Sequence, residues 1–211
     1  MIKVISFDIG GTLLRENNDN QKNYSIDALT NLLGMPKELV RNAYKEVFQK
    51  HKGTFEELVN MFCERLNIKP TKEIIDFFQN KFNLPEGTIS TEDLELLKKL
   101  KSLGYKIIFF SNNCCLVKKT IENSTKDLVD GIFYSYDLGY TKSDKESYQI
   151  IEDKLACEPD EFLHLGDTLG SDYLKPKENG WNAIYFGKTD DTNVEGTTDL
   201  KYVLKYVRDK K

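Results

Sequence analysis

Five short apolar runs stand out along the chain, and none of them alternates between apolar and polar positions. They lie at residues 2–7, 105–110, 131–134, 161–165 and 182–186. Uninterrupted apolar runs are typical of strands that are buried on both faces, as in a parallel sheet. The pattern therefore predicts five strands of a mostly parallel sheet.

Segments with helical periodicity separate the later runs. One carries leucines at every third position, namely Leu94, Leu97, Leu100 and Leu103. Ser90 and Asp93 precede this segment with the spacing of a capping box, and Gly104 follows as the expected C-terminal cap. The next helix is predicted to begin at Ser143. Because strands and helices alternate, we expect an α/β fold with a doubly wound, Rossmann-like sheet.

The region between the first and second runs contains helical patterns only. An example is the stripe of Phe55, Leu58, Phe62 and Leu66, which follows a capping box at Thr54 and Glu57. We predict a Rossmann-like core at residues 1–15 and 88–211, and a smaller all-helical domain at residues 16–87. The polar stretch from Asn17 to Asn23 is predicted to be the hinge between them.

Composition and charge narrow the classes of function. The 211 residues are 39% hydrophobic and 30% charged, with a net charge of −4, as expected for a soluble globular protein. No basic stripe is present to neutralise a phosphate backbone, so we do not expect a nucleic-acid partner. The N-terminus has no apolar segment long enough for a signal peptide or a membrane span, which predicts a cytoplasmic protein without a membrane partner.

Polar residues follow three of the apolar runs at the point where each strand should end. Asp8 follows the first run, Ser111 and Asn112 follow the second, and Asp167 follows the fourth. Lys142 lies between the third run and the next helix, and Asp172 is five residues beyond Asp167. Ligands of open α/β sheets bind outside the carboxyl ends of the strands, so we expect these side chains to meet there.

Such a cluster of carboxylates has a chemical consequence. Neighbouring carboxylates repel one another unless a cation joins them, and oxygen ligands of this kind suit Mg²⁺. A lysine, a hydroxyl and a glycine-rich turn with N–H donors complete a site for a dianion such as a phosphoryl group. Asp8 is the candidate carboxylate nucleophile.

Four segments, FDIGGTL, FFSNN, SYDLGYTKSD and HLGDTLGSD, occur in this order. The set resembles the four motifs of the haloacid dehalogenase superfamily of hydrolases, and the helical region resembles the cap domain inserted in that family. The resemblance implies a hydrolase that acts on a small phosphorylated metabolite through an aspartyl-phosphate intermediate at Asp8.

The resemblance also implies a role for each matching residue. Asp8, Ser111 and Lys142 would be catalytic: Asp8 as nucleophile, Ser111 as a hydrogen-bond partner of the transferred group, and Lys142 as the charge that offsets both. Thr12 and Asn112 would contribute to substrate binding, with Thr12 orienting the loop around Asp8. Mg²⁺ would be held by Asp8, the backbone carbonyl of Gly10, Asp167 and Asp172.

Two positions depart from the family's pattern. Ser143 replaces the proline that usually follows the lysine, a minor change because serine also caps helices. Gly10 stands where most phosphatases of the family carry a second aspartate. That aspartate protonates the leaving oxygen and later activates water, a role that contributes roughly 10²- to 10⁴-fold in rate.

Gly10 therefore leaves three alternatives open. A 2-haloacid dehalogenase needs no acid because a halide leaves without a proton. A non-catalytic regulatory protein would bind phosphate and metal without turning over a substrate. Phosphonate cleavage would use a lysine of the inserted domain as a Schiff base, and the candidate lysines for that role are Lys37, Lys45, Lys50 and Lys52.

Three further residues are interpreted as structural. His164 lies inside an apolar run and is predicted to be a packed strand residue rather than a base. Cys114 and Cys115 follow the second motif, but no histidine is placed to activate them as nucleophiles.

Overall fold

The computed structural model describes residues 1–15, 22–85 and 87–210. In these residues six strands form one sheet in the order β3-β2-β1-β4-β5-β6, and every neighbouring pair is parallel. The strands are β1 (Val4–Phe7), β2 (Lys106–Ser111), β3 (Gly131–Tyr134), β4 (Phe162–Gly166), β5 (Asn182–Phe186) and β6 (Gly196–Thr197). The parallel sheet and all five predicted strands are confirmed.

Ten α-helices accompany the sheet in the described residues. They are α1 (Ile26–Leu33), α2 (Lys37–Phe48), α3 (Phe55–Arg65), α4 (Lys72–Phe82), α5 (Thr91–Ser102), α6 (Ile121–Thr125), α7 (Ser135–Leu138), α8 (Lys145–Leu155), α9 (Lys175–Glu178) and α10 (Tyr202–Asp209). A 3₁₀ turn at Pro159–Glu161 precedes β4, and a π-helical turn at Leu169–Leu174 follows it.

Both faces of the sheet are covered by apolar side chains. Ile5 and Phe7 of β1 pack in a cluster with residues of α5 and α10 on one face. Val4 packs on the other face in a cluster that contains Tyr148 of α8 and Trp181. Successive strand residues point to opposite faces, so an uninterrupted apolar run is what a doubly wound sheet requires. This confirms the predicted fold class.

The short strand β6 is missing from the sequence prediction. It consists of Gly196 and Thr197 only, which pair with Tyr185 and Phe186 of β5. Two residues without apolar character provide no periodicity for a pattern to detect.

The buried face of α5 differs from the predicted leucine stripe. The buried residues are Asp93, Leu96, Leu97 and Leu100, whereas Leu103 is 46% exposed. Three residues advance an α-helix by about 300°, so positions that recur only every third residue drift away from one face. The predicted capping box is partly confirmed, because the Ser90 hydroxyl accepts a hydrogen bond from Asp93 N.

Helix α8 begins at Lys145, and the predicted start at Ser143 is wrong. Asp144 is the N-cap residue, and its carboxylate accepts hydrogen bonds from both the backbone N and the hydroxyl of Thr141, each at 2.8 Å. These bonds close a turn that keeps Lys142 and Ser143 outside the helix. Lys142 is thereby presented from a tight turn.

The segment from the start of α1 to the end of α4, which we call the helical insertion, has an apolar cluster of its own. Phe48, Phe62 and Phe78 lie at its centre with ring centroids 4.6–5.7 Å apart. Cys114 joins the same cluster from the segment after β2. Ion pairs from Lys50 to Asp144 and from Lys52 to Asp137 also connect the insertion with the segments before α8.

The domain boundaries remain a prediction. Residues 16–21, which contain the predicted start of the inserted domain and most of the predicted hinge, lie outside the described residues, as do Glu86 and Lys211. In the described parts of the chain, no helix combines the length and apolar character needed to cross a membrane.

Candidate active site

The predicted site residues come from neighbouring strands at one edge of the sheet. Asp8 directly follows β1, Ser111 is the last residue of β2, and Asp167 directly follows β4. The sheet order places β1 between β2 and β4. Asp8 N donates to Leu165 O of β4 at 2.8 Å, so the strand pairing continues up to the aspartate and fixes its position.

Lys142 joins two of the aspartates. Its Nζ donates to Asp8 Oδ1 at 2.5 Å and to Asp172 Oδ1 at 2.6 Å, and its side chain is almost completely buried. The Tyr148 hydroxyl donates to the carbonyl of Lys142 at 2.9 Å, and Lys142 N donates to Asn112 Oδ1 at the same distance. The turn before α8 is therefore anchored on both sides, which holds the ammonium between the carboxylates.

Asp172 is held by partners on three sides. Its Oδ2 accepts from Thr168 N at 2.9 Å, and His164 Nε2 lies 3.4 Å from Oδ1. The other ring nitrogen of His164 is 2.8 Å from the Ser6 hydroxyl on β1. Burial, together with Lys142, lowers the pKa of His164 to about 4. His164 is a packed, neutral strand residue, as predicted, and it also contacts an aspartate of the site.

Three carboxylates converge at this edge. Asp8, Asp167 and Asp172 each offer one ligand atom, and these atoms lie within 4.8 Å of one another. Gly11 makes room for this approach, because a Cβ at that position would lie 2.2 Å from Asp167 Oδ2. Gly11 also has a φ of +76°, a conformation that favours glycine.

The charges of the site are not balanced by Lys142 alone. Burial raises the pKa of Asp8 to about 7 even though Lys142 counteracts it. Burial and the neighbouring Asp172 also raise the pKa of Asp167. On Asp172, burial opposes the charge, but Lys142 and His164 outweigh it and hold the pKa below its usual value. Two of the three carboxylates therefore lack sufficient positive charge, and a divalent cation fits this donor set.

Two cavities that share lining residues lie beside these side chains. The first, which we call the carboxylate chamber, has a volume of about 480 Å³ and is lined by Asp8, Lys142, Asp167 and Asp172. The second, which we call the insertion chamber, has a volume of about 420 Å³ and is lined by Tyr44, Lys81 and Phe82 of the helical insertion. Gly10, Gly11, Ser111 and Asn112 line both chambers.

The predicted substrate-binding residues differ in their placement. Asn112 lines both chambers, whereas Thr12 is fully buried and lines neither of them. Thr12 lies in the turn after Asp8, where Leu13 N and Leu14 N donate to Ile9 O. A role of Thr12 in orienting that turn remains a prediction, as do the catalytic and metal-binding roles of the other residues.

Sequence reasoning missed several residues that line the chambers. Thr168 and Ser171 line the carboxylate chamber, and their position between Asp167 and Asp172 is a signal that could have found them. Gln49 enters the same chamber from the end of α2, and nothing in its sequence context indicates this. Lys81 lines the insertion chamber and was also missed. Burial lowers the pKa of Lys81. By contrast, Lys37, Lys50 and Lys52, which the sequence offered as candidate lysines, each form an ion pair with a carboxylate.

The cysteines after β2 do not match the requirements of a nucleophile. Burial raises the pKa of the Cys114 thiol to about 12, so it is not a thiolate at neutral pH. The four cysteines Cys63, Cys114, Cys115 and Cys157 are all free thiols.

The sheet is parallel and buried, and an aspartate follows its first strand. A lysine contacts that aspartate, and two further aspartates lie close to it. Together these features define a class of hydrolases. The model of the haloacid dehalogenase-like hydrolase family matches residues 2–174. The chain belongs to this family.

Comparisons with individual proteins agree with the fold. An uncharacterised hydrolase of Schizosaccharomyces pombe is 24% identical over 214 residues, covering 87% of this chain and 90% of the relative. A family enzyme from Bacteroides thetaiotaomicron, crystallised with magnesium and inorganic phosphate, has a TM-score of 0.62 and 19% identity, covering 91% of this chain and 98% of that one. A 2-haloacid dehalogenase from Pseudomonas syringae pv. tomato has a TM-score of 0.65 and 14% identity, covering 100% of both chains.

Proposed function

We propose that this protein is a Mg²⁺-dependent phosphohydrolase that acts on a small phosphorylated metabolite, with Asp8 as nucleophile. The observation that carries the proposal is the convergence of Asp8, Asp167 and Asp172 around Lys142 at the carboxyl edge of the sheet. The magnesium and phosphate in the related Bacteroides structure support it. We further propose that the helical insertion is a cap over this edge.

The side chains of the carboxylate chamber suit this reaction. Lys142 Nζ donates a hydrogen bond to Asp8 Oδ1, and no donor among the described residues hydrogen-bonds to Asp8 Oδ2. We infer that Oδ2 attacks phosphorus, that the bond from phosphorus to the leaving oxygen breaks, and that an aspartyl phosphate forms. Water then attacks phosphorus, which releases inorganic phosphate and regenerates the carboxylate. The hydroxyl of Ser111, at the end of β2, donates a hydrogen bond to an oxygen of the transferred group.

The proposed metal site uses the three carboxylates and the carbonyl of Gly10. The raised pKa values of Asp8 and Asp167 support it, because they mark carboxylates with too little positive charge nearby. When bound, Mg²⁺ supplies positive charge to the oxygens of the phosphoryl group.

Mg²⁺ is expected to raise the melting temperature of the wild-type protein. A ligand at 100 times its Kd stabilises a protein by about 2.7 kcal/mol, which corresponds to roughly 5–10 °C for a chain of this size. Asp167→Ala should abolish the shift, whereas Asp76→Ala, which changes an exposed aspartate of α4, should keep it. Differential scanning calorimetry with and without millimolar Mg²⁺ provides the test, and an unchanged shift in Asp167→Ala would contradict the assigned site.

The shift should also depend on pH. Because burial raises the pKa of Asp8 to about 7, this carboxyl carries a proton at pH 5.5 that Mg²⁺ must displace. We therefore expect a smaller Mg²⁺-induced shift at pH 5.5 than at pH 8. Equal shifts at the two pH values would argue against Asp8 as a ligand.

Gly10 bears on the choice of substrate. Among the described residues that line the carboxylate chamber, the acids are Asp8, Asp167 and Asp172, all of which the proposal assigns to the metal. No further carboxyl of these residues is available to protonate a leaving oxygen. We therefore propose that acyl and aryl phosphates, whose leaving groups need no proton, are better substrates than alkyl phosphates.

Gly10→Asp is expected to increase hydrolysis of alkyl phosphates by roughly 10²-fold, the lower end of general acid–base catalysis. A Cβ at Gly10 has no atom within 4 Å, and the strained positive φ lies at Gly11 instead, so the turn has room for the side chain. Steady-state assays of the variant should use Gly10→Asn as the control, since asparagine has the same size but cannot transfer a proton. Equal rates for the two variants would mean that a missing acid does not limit the reaction.

A second candidate function is hydrolysis of 2-haloacids. The absence of an acid at Gly10 favours it, since a halide leaves without a proton. A panel of acyl, aryl and alkyl phosphates and 2-haloacids, each assayed with and without Mg²⁺, separates the two functions. Mg²⁺-dependent release of phosphate supports the phosphohydrolase, metal-independent release of halide supports the dehalogenase, and no turnover of any compound favours the regulatory alternative.

A further inference from the structure

Lys81 is an unusual lysine of the helical insertion. It lies on α4, it lines the insertion chamber, and it is partly buried. Its Nζ donates to the carbonyl oxygen of Tyr24 at 2.8 Å and lies 5.5 Å from the ring centroid of Tyr44. Both partners are neutral.

The positive charge of Lys81 has no counter-charge in the described parts of the chain. Lys37, Lys50 and Lys52 of the same insertion each pair with a carboxylate, but no carboxylate of residues 1–15, 22–85 or 87–210 lies within ion-pair distance of Lys81. The nearby thiol of Cys114 is no substitute, since burial keeps it protonated. Burial also lowers the pKa of Lys81, the direction expected for a cation that lacks an anionic partner.

The two chambers place Lys81 on the leaving-group side of the reaction. Asp8 lines the carboxylate chamber only, and Lys81 lines the insertion chamber only. The chambers share Gly10, which has no side chain to separate them, and Asn112. A molecule with its phosphorus at Asp8 therefore has the insertion chamber as space for the rest of its structure.

The charge that fits this chamber is a single negative one. Tyr44, Phe82, Leu84 and Pro85 form the apolar and aromatic part of its wall. One ammonium balances one carboxylate, whereas a second phosphoryl dianion would leave an excess negative charge against apolar surface.

We propose that the leaving group of the substrate carries a carboxylate that binds Lys81 in the insertion chamber. This inference rests on the proposed function, because it assumes that the phosphoryl group lies at Asp8. It deepens that function by naming the substrate class, which is a phosphorylated carboxylic acid. Lys81 acts here as a specificity-determining residue, since it contacts the substrate away from phosphorus.

The test measures binding of non-hydrolysable phosphonates to the full chain in Mg²⁺. The probes are phosphonoacetate and 3-phosphonopropionate, which carry a carboxylate at two distances, with ethylphosphonate and propylphosphonate as their neutral-ended counterparts. For at least one length, calorimetry of the wild type should give a Kd that is roughly 10-fold or more lower for the carboxylate probe, as expected for a charge-assisted hydrogen bond.

Three variants test whether Lys81 causes this gain in affinity, by which we mean the lower Kd of the carboxylate probe relative to its neutral-ended counterpart. Lys81→Met should remove it while leaving the Kd of the neutral-ended probe within about 3-fold, and Lys81→Arg should keep a gain because it keeps the charge. Lys72→Met, which changes an exposed lysine at the start of the same helix, should retain the full gain. A wild type that does not favour the carboxylate, or a gain that persists in Lys81→Met, overturns the proposal.

A separate assay distinguishes failure of this inference from failure of the proposed function. Hydrolysis of phenyl phosphate tests the reaction without using Lys81, because this substrate has no carboxylate. Turnover of phenyl phosphate without a Lys81-dependent gain for the carboxylate probes overturns the subsite alone. A Lys81-dependent gain without turnover of any phosphate supports the subsite and contradicts the hydrolase.

Discussion

Asp8→Asn is expected to lower turnover of any phosphate substrate by roughly 10⁴-fold or more, the size of loss seen when a catalytic nucleophile is removed. Asparagine has nearly the same shape and can still accept the hydrogen bond from Lys142, but its amide does not attack phosphorus. The fold should survive. Since burial already raises the pKa of Asp8 to about 7, we expect the metal-free variant at pH 8 to be at least as stable as the wild type.

Asp130→Asn is the matched control for this variant. Asp130 also accepts two hydrogen bonds, from Ile107 N and from Lys101 Nζ, but it precedes β3 at the opposite edge of the sheet. Its replacement should change turnover by less than about 3-fold. If Asp8→Asn kept most of the activity, covalent catalysis at Asp8 would be wrong.

Lys142→Met is expected to destabilise the metal-free protein by about 3–5 kcal/mol, because it leaves buried carboxylates without their counter-charge. Both partners, Asp8 and Asp172, lie within 2.6 Å of the ammonium and are almost fully buried. At roughly 2–4 °C per kcal/mol for a chain of this size, the loss should be clear in a melting curve. Mg²⁺ should restore more stability to this variant than to the wild type, since it supplies the missing positive charge.

Lys50→Met is the control for Lys142→Met. Lys50 also bridges two carboxylates, Glu46 at 3.0 Å and Asp144 at 3.1 Å, but in a partly exposed position. Such pairs contribute about 0–1 kcal/mol, so this variant should melt close to the wild type. If the two lysine variants lost equal stability, burial of the Lys142 ion pairs would not increase their contribution to the free energy of unfolding.

The fold was predictable where the physical signal is local and repeated. The five apolar runs gave the five longer strands, because a strand buried on both faces has few polar positions to interrupt it. The start of α8 was not predictable from a capping pattern alone. Ser143 has a side chain that can cap a helix. However, the hydrogen bonds from Thr141 to the Asp144 carboxylate hold the turn, Asp144 is the N-cap residue, and the helix begins at Lys145.

The candidate site also contains residues that were predictable from the sequence and residues that were not. Asp8, Ser111 and Asp167 are at strand ends, and parallel strands bring their carboxyl ends to one edge, so the sequence order was enough to group them. Gln49 and Lys81 reach the chambers from α2 and α4, and only the packing of the helical insertion decides which of their faces is turned inward. That packing depends on contacts between distant residues, such as Phe48 with Phe78, which no local pattern contains.

The most direct test of the central claim is to look for a phosphoryl group on Asp8. The Mg²⁺-loaded protein is mixed with an acyl phosphate, quenched in acid within the first turnover, and digested for mass spectrometry of the peptide that contains Asp8. We expect the added mass of one phosphoryl group on Asp8, and its accumulation, because no further carboxyl of the described chamber residues activates the water that removes it. Turnover with Asp8 unmodified from the first cycle onward would contradict the account.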